Sequence, residues 1–197
     1  MSAPVDPTGR VAALIAAHAK YPSPKSGSFY DEVLVEVQER AVESGSLGKT
    51  DIGALMFWKR LNLSTGWTRE LNTWDDSKVR DVTGAALELA RNTSQVIPEA
   101  AGVARVALLE LPGCRQGAAV ASTLLTAGAP DRMAVYDRRA VDPLRALGYP
   151  HPNGRYSRFM ANVFELVELV NVTTGVEWRP RDVDKALFMM GMRDGGP

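Results

Sequence analysis

The sequence predicts an all-α protein, and two observations support that prediction. Apolar residues recur at intervals of three and four along most of the 197 residues, in segments that begin at residues favouring helix N-termini. Strand-like alternation is nearly absent, and only residues 170–176 are rich in β-branched side chains. The length suits one core, so we expect a single domain over residues 8–193, between flexible tails at 1–7 and 194–197.

Four helices are predicted in the first half of the chain, each after a side chain that can accept a hydrogen bond from free helix amides. The candidate N-caps are Thr8, Ser28 with Asp31 in a capping-box pattern, Thr50 with Asp51, and Asp75 or Asp76. The second of these helices should end near Ser44. Between the third and fourth helices, residues 61–74 contain several turn-forming residues and are predicted to be a break.

Five helices are predicted in the second half, which brings the expected total to about nine. Their predicted first or capping residues are Pro98, Ala118, Asp137, Tyr156 and Pro180. The helix from Pro98 should run to about Glu110, and the helix after Asp137 should end at Gly148.

The composition excludes several classes of protein. Zero net charge argues against a strongly basic nucleic-acid binder, and the single cysteine rules out an internal disulfide or a cluster held by four thiolates of this chain. His18 and His151 lie too far apart for a zinc-ligand pattern, so no metal site is predicted. The N-terminus lacks the features of a secretory signal and no apolar stretch could span a bilayer, so we expect a cytoplasmic protein.

Charge is unevenly distributed along the chain. Residues 101–160 contain eight arginines and four acidic residues, whereas residues 28–100 contain eight basic and twelve acidic residues. The basic segment is either ordinary scatter or a surface that faces a polyanion.

The most informative stretch is a predicted hairpin between two helices. One helix should end at Leu111, because Pro112 has no amide to donate, and Gly113 can adopt the positive φ of a tight turn. A second helix, rich in small residues, should begin near Gly117. The free amides at its N-terminus can bind a phosphate oxygen.

The segment from Ala107 to Ala121, ALLELPGCRQGAAVA, resembles the hairpin of the helix-hairpin-helix DNA glycosylase superfamily, often called HhH-GPD. In that family the pattern is Leu-Pro-Gly-Val-Gly, and an aspartate precedes the next helix. Asp137 falls where the family places its catalytic carboxylate. The specific match covers about residues 104–148, and residues 181–187 resemble the tail of uncharacterised bacterial relatives.

The resemblance implies a DNA-binding protein that removes a modified or damaged base, with Asp137 stabilising the charge that develops on the sugar. It implies a bound monovalent cation at the hairpin and no other cofactor. Trp58 and Tyr136 are candidates for the walls of a base pocket. The residues that it implies for DNA contact are Leu111, Pro112, Gly113, Cys114, Arg115, Gln116, Gly117, Arg138 and Arg139.

Two departures from the family pattern matter. Arg115 replaces the second hairpin glycine, and either changes the turn or adds a phosphate contact. Gly117 stands where some members carry a lysine for Schiff-base chemistry, and none of the six lysines of this chain is predicted to replace it. The resemblance therefore points to a monofunctional glycosylase, or to a relative that has lost catalysis.

Purely structural roles also explain the same residues. Asp137 would cap its helix whatever the function, and Cys114 is better explained as a small apolar filler than as a reactive thiol. Trp58 is better explained as a buried residue beside the solvated charges of Lys59 and Arg60. The alternatives to the enzyme are a non-catalytic DNA- or protein-binding module that keeps the hairpin, or a helical domain with no nucleic-acid role.

Overall fold

The computed structural model describes residues 6–192, and all regular structure in that range is helical, as the sequence predicts. The ten α-helices of this part of the chain are α1 (Pro7–His18), α2 (Glu32–Ser44), α3 (Lys49–Trp58), α4 (Gly66–Asn72), α5 (Asp76–Arg91), α6 (Ile97–Ala107), α7 (Ala119–Gly128), α8 (Arg138–Ala146), α9 (Tyr156–Thr174) and α10 (Pro180–Met190). Short 3₁₀ turns lie at Pro24–Ser26 and Leu108–Glu110. No described helix combines the length and apolarity needed for a membrane span.

The first helix begins earlier than the sequence predicts. Asp6, not Thr8, is its N-cap, because the Asp6 Oδ1 accepts a hydrogen bond from the Gly9 amide at 2.8 Å. Pro7, which the sequence assigns to a tail, is the first residue of α1, a position where its missing amide costs nothing. The rest of the predicted tails, residues 1–5 and 194–197, lies outside the described residues.

Two further expectations in the first half are wrong. α2 starts at Glu32 and not near Ser28, and Asp31 makes no capping hydrogen bond because its carboxylate instead accepts from other parts of the fold. The predicted break at 61–74 contains α4, which Thr65 and Thr68 begin through a reciprocal side-chain and backbone arrangement. α4 is the helix that raises the count from nine to ten.

α7 runs through the middle of the molecule. Residues 121–128 are all buried, and α2, α3, α5 and α6 pack around them. Small side chains allow this close approach: a Cβ atom added to Gly128 would lie 2.1 Å from Cδ2 of Leu87 on α5. The second helix of the hairpin is therefore a core element.

The C-terminal part of the chain fixes the start of α8. α10 packs against α1 and α8, and α9 packs against α6. Gly191, just after α10, lies so close to the backbone of Arg139 that a side chain there would have no room. This contact positions Asp137, which immediately precedes α8.

Candidate functional site

The hairpin forms a tight turn at the position that the sequence predicts. The Cys114 amide donates to the Leu111 carbonyl at 3.0 Å, and Gly113 has φ +87°, as in a type II turn with proline at its second position. A second positive φ, +67° at Gly117, turns the chain into α7. α6 itself stops at Ala107, and a 3₁₀ turn carries the chain on to Glu110.

A cavity of about 560 Å³ lies beside this turn, and its lining includes Gly113, Arg115 and Gln116 of the hairpin. Within the described residues, no protein acceptor pairs with the amides of Gly113, Arg115, Gln116 or Gly117, or with those of the first turn of α7. The cavity lies between the turn and α4, and Trp67 forms part of its wall. We call this cavity, with these amides, the hairpin cavity.

Most side chains of the hairpin are buried or bonded to other residues of the protein. Leu111, Pro112 and Cys114 are buried, so their side chains cannot contact DNA, and burial raises the pKa of the Cys114 thiol to about 12. The Arg115 guanidinium forms a two-point ion pair with Glu70 on α4, with distances of 2.9 and 2.7 Å. The predicted phosphate contacts of the hairpin are through backbone amides, so the burial of the Leu111, Pro112 and Cys114 side chains leaves that prediction untested.

The hairpin does not fit the monovalent cation that the resemblance implies. The Gly117 carbonyl accepts from the Arg105 guanidinium at 2.7 Å, and the Glu110 carbonyl accepts from Arg115 at 3.4 Å. These two guanidinium groups occupy both carbonyls and disfavour a cation at the same atoms. Among the described residues, no group of three His, Cys, Asp or Glu side chains is arranged to hold a metal ion.

Replacing Gly113 with Ala should destabilise the fold more than replacing Gly117 with Ala. Both residues have positive φ, so each change costs about 1 kcal/mol in backbone strain. A Cβ at Gly113 would also lie 2.6 Å from Cε3 of Trp67, whereas nothing lies within 4 Å at Gly117. Urea unfolding should show a loss of about 2–4 kcal/mol for Gly113→Ala. Equal losses for the two variants would contradict the packing of Trp67 on the turn.

A second cavity, of about 390 Å³, opens at the start of α8. We call it the Asp137 cavity. Asp137 caps α8, since its Oδ1 accepts from the Arg139 amide at 2.9 Å. Its Oδ2 accepts from Nζ of Lys59 at 2.8 Å. The Asp137 side chain remains 26% exposed, so the carboxylate is accessible from the cavity.

Burial alone would raise the pKa of the Asp137 carboxyl. The positive charge and hydrogen bond of Lys59, together with the Arg139 amide and charge, outweigh that effect and hold the pKa below its usual value. Asp137 is therefore ionised throughout the neutral pH range.

The turn after α3 places Lys59 against Asp137. The Leu61 amide donates to the Met56 carbonyl at 2.9 Å, and between them Arg60 has φ +56°, a conformation that usually favours glycine. Lys59 and Asp137 are 78 residues apart in the chain, and no local sequence signal relates them. The sequence therefore contains no indication that Lys59 contacts Asp137, which is why it predicts that no lysine replaces the one absent from the hairpin.

Aromatic side chains form much of the Asp137 cavity wall. These are Tyr21, Tyr30, Trp58 and Phe188. Trp58, a predicted wall residue, lines the cavity although it is only 6% exposed, and its Nε1 donates to Asp31 at 3.1 Å. Tyr136, the other predicted wall residue, is not among the lining residues. Its ring packs edge-on against Phe159, with ring centres 5.1 Å apart, so its place in a base pocket stays a prediction.

A buried charge network supports this cavity from α10. The Arg181 guanidinium bonds to the Asp184 carboxylate, to the Tyr21 hydroxyl at 2.8 Å and to Asp31. Burial raises the pKa of Asp184 to about 6, although Arg181 and the Val135 amide lower it. From the sequence, residues 181–187 resemble only the tail of bacterial relatives, because no local sequence pattern marks a buried ion pair.

The two cavities are lined by neighbouring residues of one segment. Residues 58–60 line the Asp137 cavity, and Leu61, Asn62 and Thr65 line the hairpin cavity, so one continuous segment forms a wall of both. Ser122 on α7 accepts a hydrogen bond from the Tyr136 amide at 2.9 Å, directly before Asp137. The amide-lined turn and the ionised carboxylate therefore belong to one region of the molecule.

No known protein family, curated protein or solved structure matches this chain in comparisons. The chemistry of the two cavities is thus the basis for assigning a function.

Proposed function

We propose that this protein binds DNA in the manner of the helix-hairpin-helix glycosylases and hydrolyses the N-glycosidic bond of a modified or damaged base. The observation that carries the proposal is the position of Asp137, an ionised carboxylate exposed in an open cavity with aromatic walls. One segment, residues 58–65, lines both that cavity and the cavity beside the hairpin turn, whose amides lack protein acceptors in the described structure.

Base excision requires a fixed negative charge near the sugar, which this carboxylate can supply. Breaking the bond between base and sugar develops positive charge on the sugar, and a fixed negative charge nearby stabilises that transition state. The Arg139 amide and Lys59 hold the Asp137 carboxylate in place from two directions. The same oxygens can orient the attacking water.

The cavity suits a base removed from the stack. Its volume, about 390 Å³, is in the usual range for small-molecule sites. Tyr30, Trp58 and Phe188 line the cavity and offer apolar ring surface to a flipped base, although an arginine guanidinium lies over one face of each ring. Flipping costs a few kcal/mol, and these contacts offset part of that cost.

Backbone phosphates have donors on both sides of this cavity. The free amides of the hairpin cavity and of the first turn of α7 can hold one phosphate. Arg138 and Arg139 are exposed at the Asp137 cavity and can meet another. The Arg115–Glu70 ion pair is exposed and therefore weak, so Arg115 can exchange Glu70 for a phosphate.

A non-catalytic DNA- or protein-binding module is the second candidate. One observation favours it: both carboxylate oxygens of Asp137 already accept hydrogen bonds, from the Arg139 amide and from Lys59. A residue that only caps α8 and neutralises a lysine would show the same contacts.

Asp137→Asn tests the enzyme. Asparagine caps a helix as well as aspartate, so α8 keeps its N-cap while the negative charge opposite Lys59 is lost. We expect the rate of base release to fall about 10²–10³-fold. The measurement is single-turnover excision on a panel of duplexes, each carrying one oxidised, deaminated or alkylated base, followed by alkaline cleavage at abasic sites.

Asp142→Asn is the matched control, because Asp142 is an exposed acid on the same helix. It should leave the rate unchanged. An Asp137→Asn protein as fast as wild type would exclude Asp137 as the catalytic carboxylate. Salt-dependent binding by wild type without base release from any duplex would support the non-catalytic module instead.

A further inference from the structure

We propose that the Asp137 cavity binds a free nucleoside 5′-monophosphate, with the base against its aromatic walls and the phosphate on Arg60, Arg138 and Arg139. We call these three residues the arginine group. The inference concerns the cavity of the proposed function but goes beyond that function, because it needs neither DNA nor bond cleavage. It rests on the charge of the lining residues, on the free donors of the arginine group, and on the ring surface of the cavity.

The lining of the Asp137 cavity carries an excess of positive charge. Five of the lining residues are basic and two are acidic. Both acids are already paired, since Asp137 lies 2.8 Å from Lys59 and Asp184 bonds to Arg181. The arginine group is the surplus, in a protein whose formal net charge is zero. A local excess of this kind attracts a compact anion.

The arginine group has donors to offer that anion. Its three side chains are exposed, and among the described residues no carboxylate lies within ion-pairing distance of them. Arg60 lies over the Tyr30 ring at 5.6 Å, and Arg139 lies over the Phe188 ring at 5.7 Å and donates to the Met192 sulfur, a weak acceptor. Because a ring contact uses the face of a guanidinium, the N–H groups at its edge remain able to bind oxygen.

The backbone of Arg60 supports a binding role for its side chain. Its φ of +56° is uncommon for a residue with a side chain, and glycine would adopt it at less cost. Strain of this kind concentrates at functional sites. Arginine at this turn supplies a guanidinium beside the cavity, which glycine would not.

Three guanidinium groups suit a phosphate monoester better than a carboxylate or a phosphodiester. A terminal phosphate carries close to two negative charges at neutral pH and three acceptor oxygens, and arginine binds such oxygens in pairs. A phosphate within a nucleic-acid strand carries a single charge. A free 5′-phosphate therefore satisfies the arginine group more fully than a phosphate inside a strand.

The rest of the cavity suits the base of a nucleotide. Tyr21, Tyr30, Trp58 and Phe188 provide ring surface around a volume of about 390 Å³, which is in the usual range for small-molecule sites. Bases stack on aromatic rings and on arginine side chains alike. The guanidinium groups that lie over these rings therefore add to the stacking surface.

Isothermal titration calorimetry with the four common deoxynucleoside 5′-monophosphates tests this inference without DNA. The comparison ligands are the four deoxynucleosides, which lack the phosphate, and inorganic phosphate, which lacks the base. We expect at least one nucleotide to bind about 10-fold or more tightly than its nucleoside and than phosphate. Arg60→Gln and Arg138→Gln should each weaken nucleotide binding by about 10-fold, because each removes one charged donor, and should leave nucleoside binding unchanged.

Arg145→Gln is the matched control, because Arg145 is an exposed arginine on α8 that does not line the cavity. Its nucleotide affinity should equal that of wild type. Asp137→Asn separates this inference from the proposed function. It should slow base release, but it removes a negative charge beside the arginine group and should bind nucleotide at least as tightly as wild type.

Three results would each overturn the inference: no binding of any of the four nucleotides, equal affinity for nucleotide and inorganic phosphate, or unchanged nucleotide affinity when Arg60 and Arg138 are both replaced by Gln. None of these results bears on base release, which the excision assay measures independently. Nucleotide binding by a protein that releases no base would support this inference and count against the glycosylase.

Discussion

Replacing Arg181 with Met should destabilise the folded protein by about 3–5 kcal/mol at pH 8. Arg181 bonds to Asp184 and lies near Asp31, and its side chain is only 12% exposed. Methionine matches its volume but leaves the Asp184 carboxylate, only 2% exposed, without its cationic partner. An uncompensated buried charge is among the most costly changes in a protein interior.

The loss should be smaller at pH 5. The pKa of Asp184 in the fold is raised to about 6, above its value in the unfolded chain, so the folded state favours the protonated carboxyl. Ionisation of Asp184 therefore costs stability as pH rises from about 4 to 6, and Arg181 limits that cost. At pH 5 the carboxyl is largely neutral already, so less is lost with the guanidinium.

Urea unfolding at both pH values measures this difference. Arg179→Met is the control, since Arg179 pairs with Asp131 where both side chains are about two-thirds exposed (65% and 67%). That variant should lose less than about 1 kcal/mol at either pH. An Arg181→Met loss that is no larger at pH 8 than at pH 5 would contradict the buried network.

Replacing Gly191 with Ala should cost about 3 kcal/mol or more and displace the start of α8. A Cβ at Gly191 would lie 1.9 Å from the Arg139 carbonyl oxygen and 2.8 Å from its carbonyl carbon. Both are backbone atoms, so no side-chain rotation relieves the clash, and α10 and α8 must separate. The Arg139 amide holds Asp137, so any base release should fall as well.

Gly84→Ala is the matched control for this change. Gly84 lies inside α5, and its added Cβ would be 3.6 Å from the nearest atom, an ordinary contact. Alanine favours a helix over glycine by up to about 1 kcal/mol, so this variant should be as stable as wild type or more so. Thermal unfolding that shows the two variants equally stable would exclude the α8–α10 contact.

Local sequence determined the helices and the hairpin. Helical spacing and capping residues predict most helix starts, because both act within one or two turns. Pro112 and Gly113 predict the turn for an equally local reason, since one lacks an amide and the other adopts positive φ. Asp137 at the head of α8 follows from the same rules.

These rules failed at two places. At one, residues distant in sequence bind the side chain that was expected to cap a helix, and at the other a helix was not predicted. Asp31 does not cap α2, because Tyr21, Trp58 and Arg181 bind its carboxylate. α4 lies within a segment rich in turn formers, and the helix count was therefore one too low.

Tertiary structure alone decided the chemistry of the site. The sequence by itself determined an all-α chain with a tight turn before one helix and an acid at the start of the next. It contains no sign that Lys59 meets that acid or that Arg181 and Asp184 are buried together, since these contacts join residues from separate helices. Helix periodicity records which face of a helix is apolar, whereas the pairing of charges depends on how the helices pack.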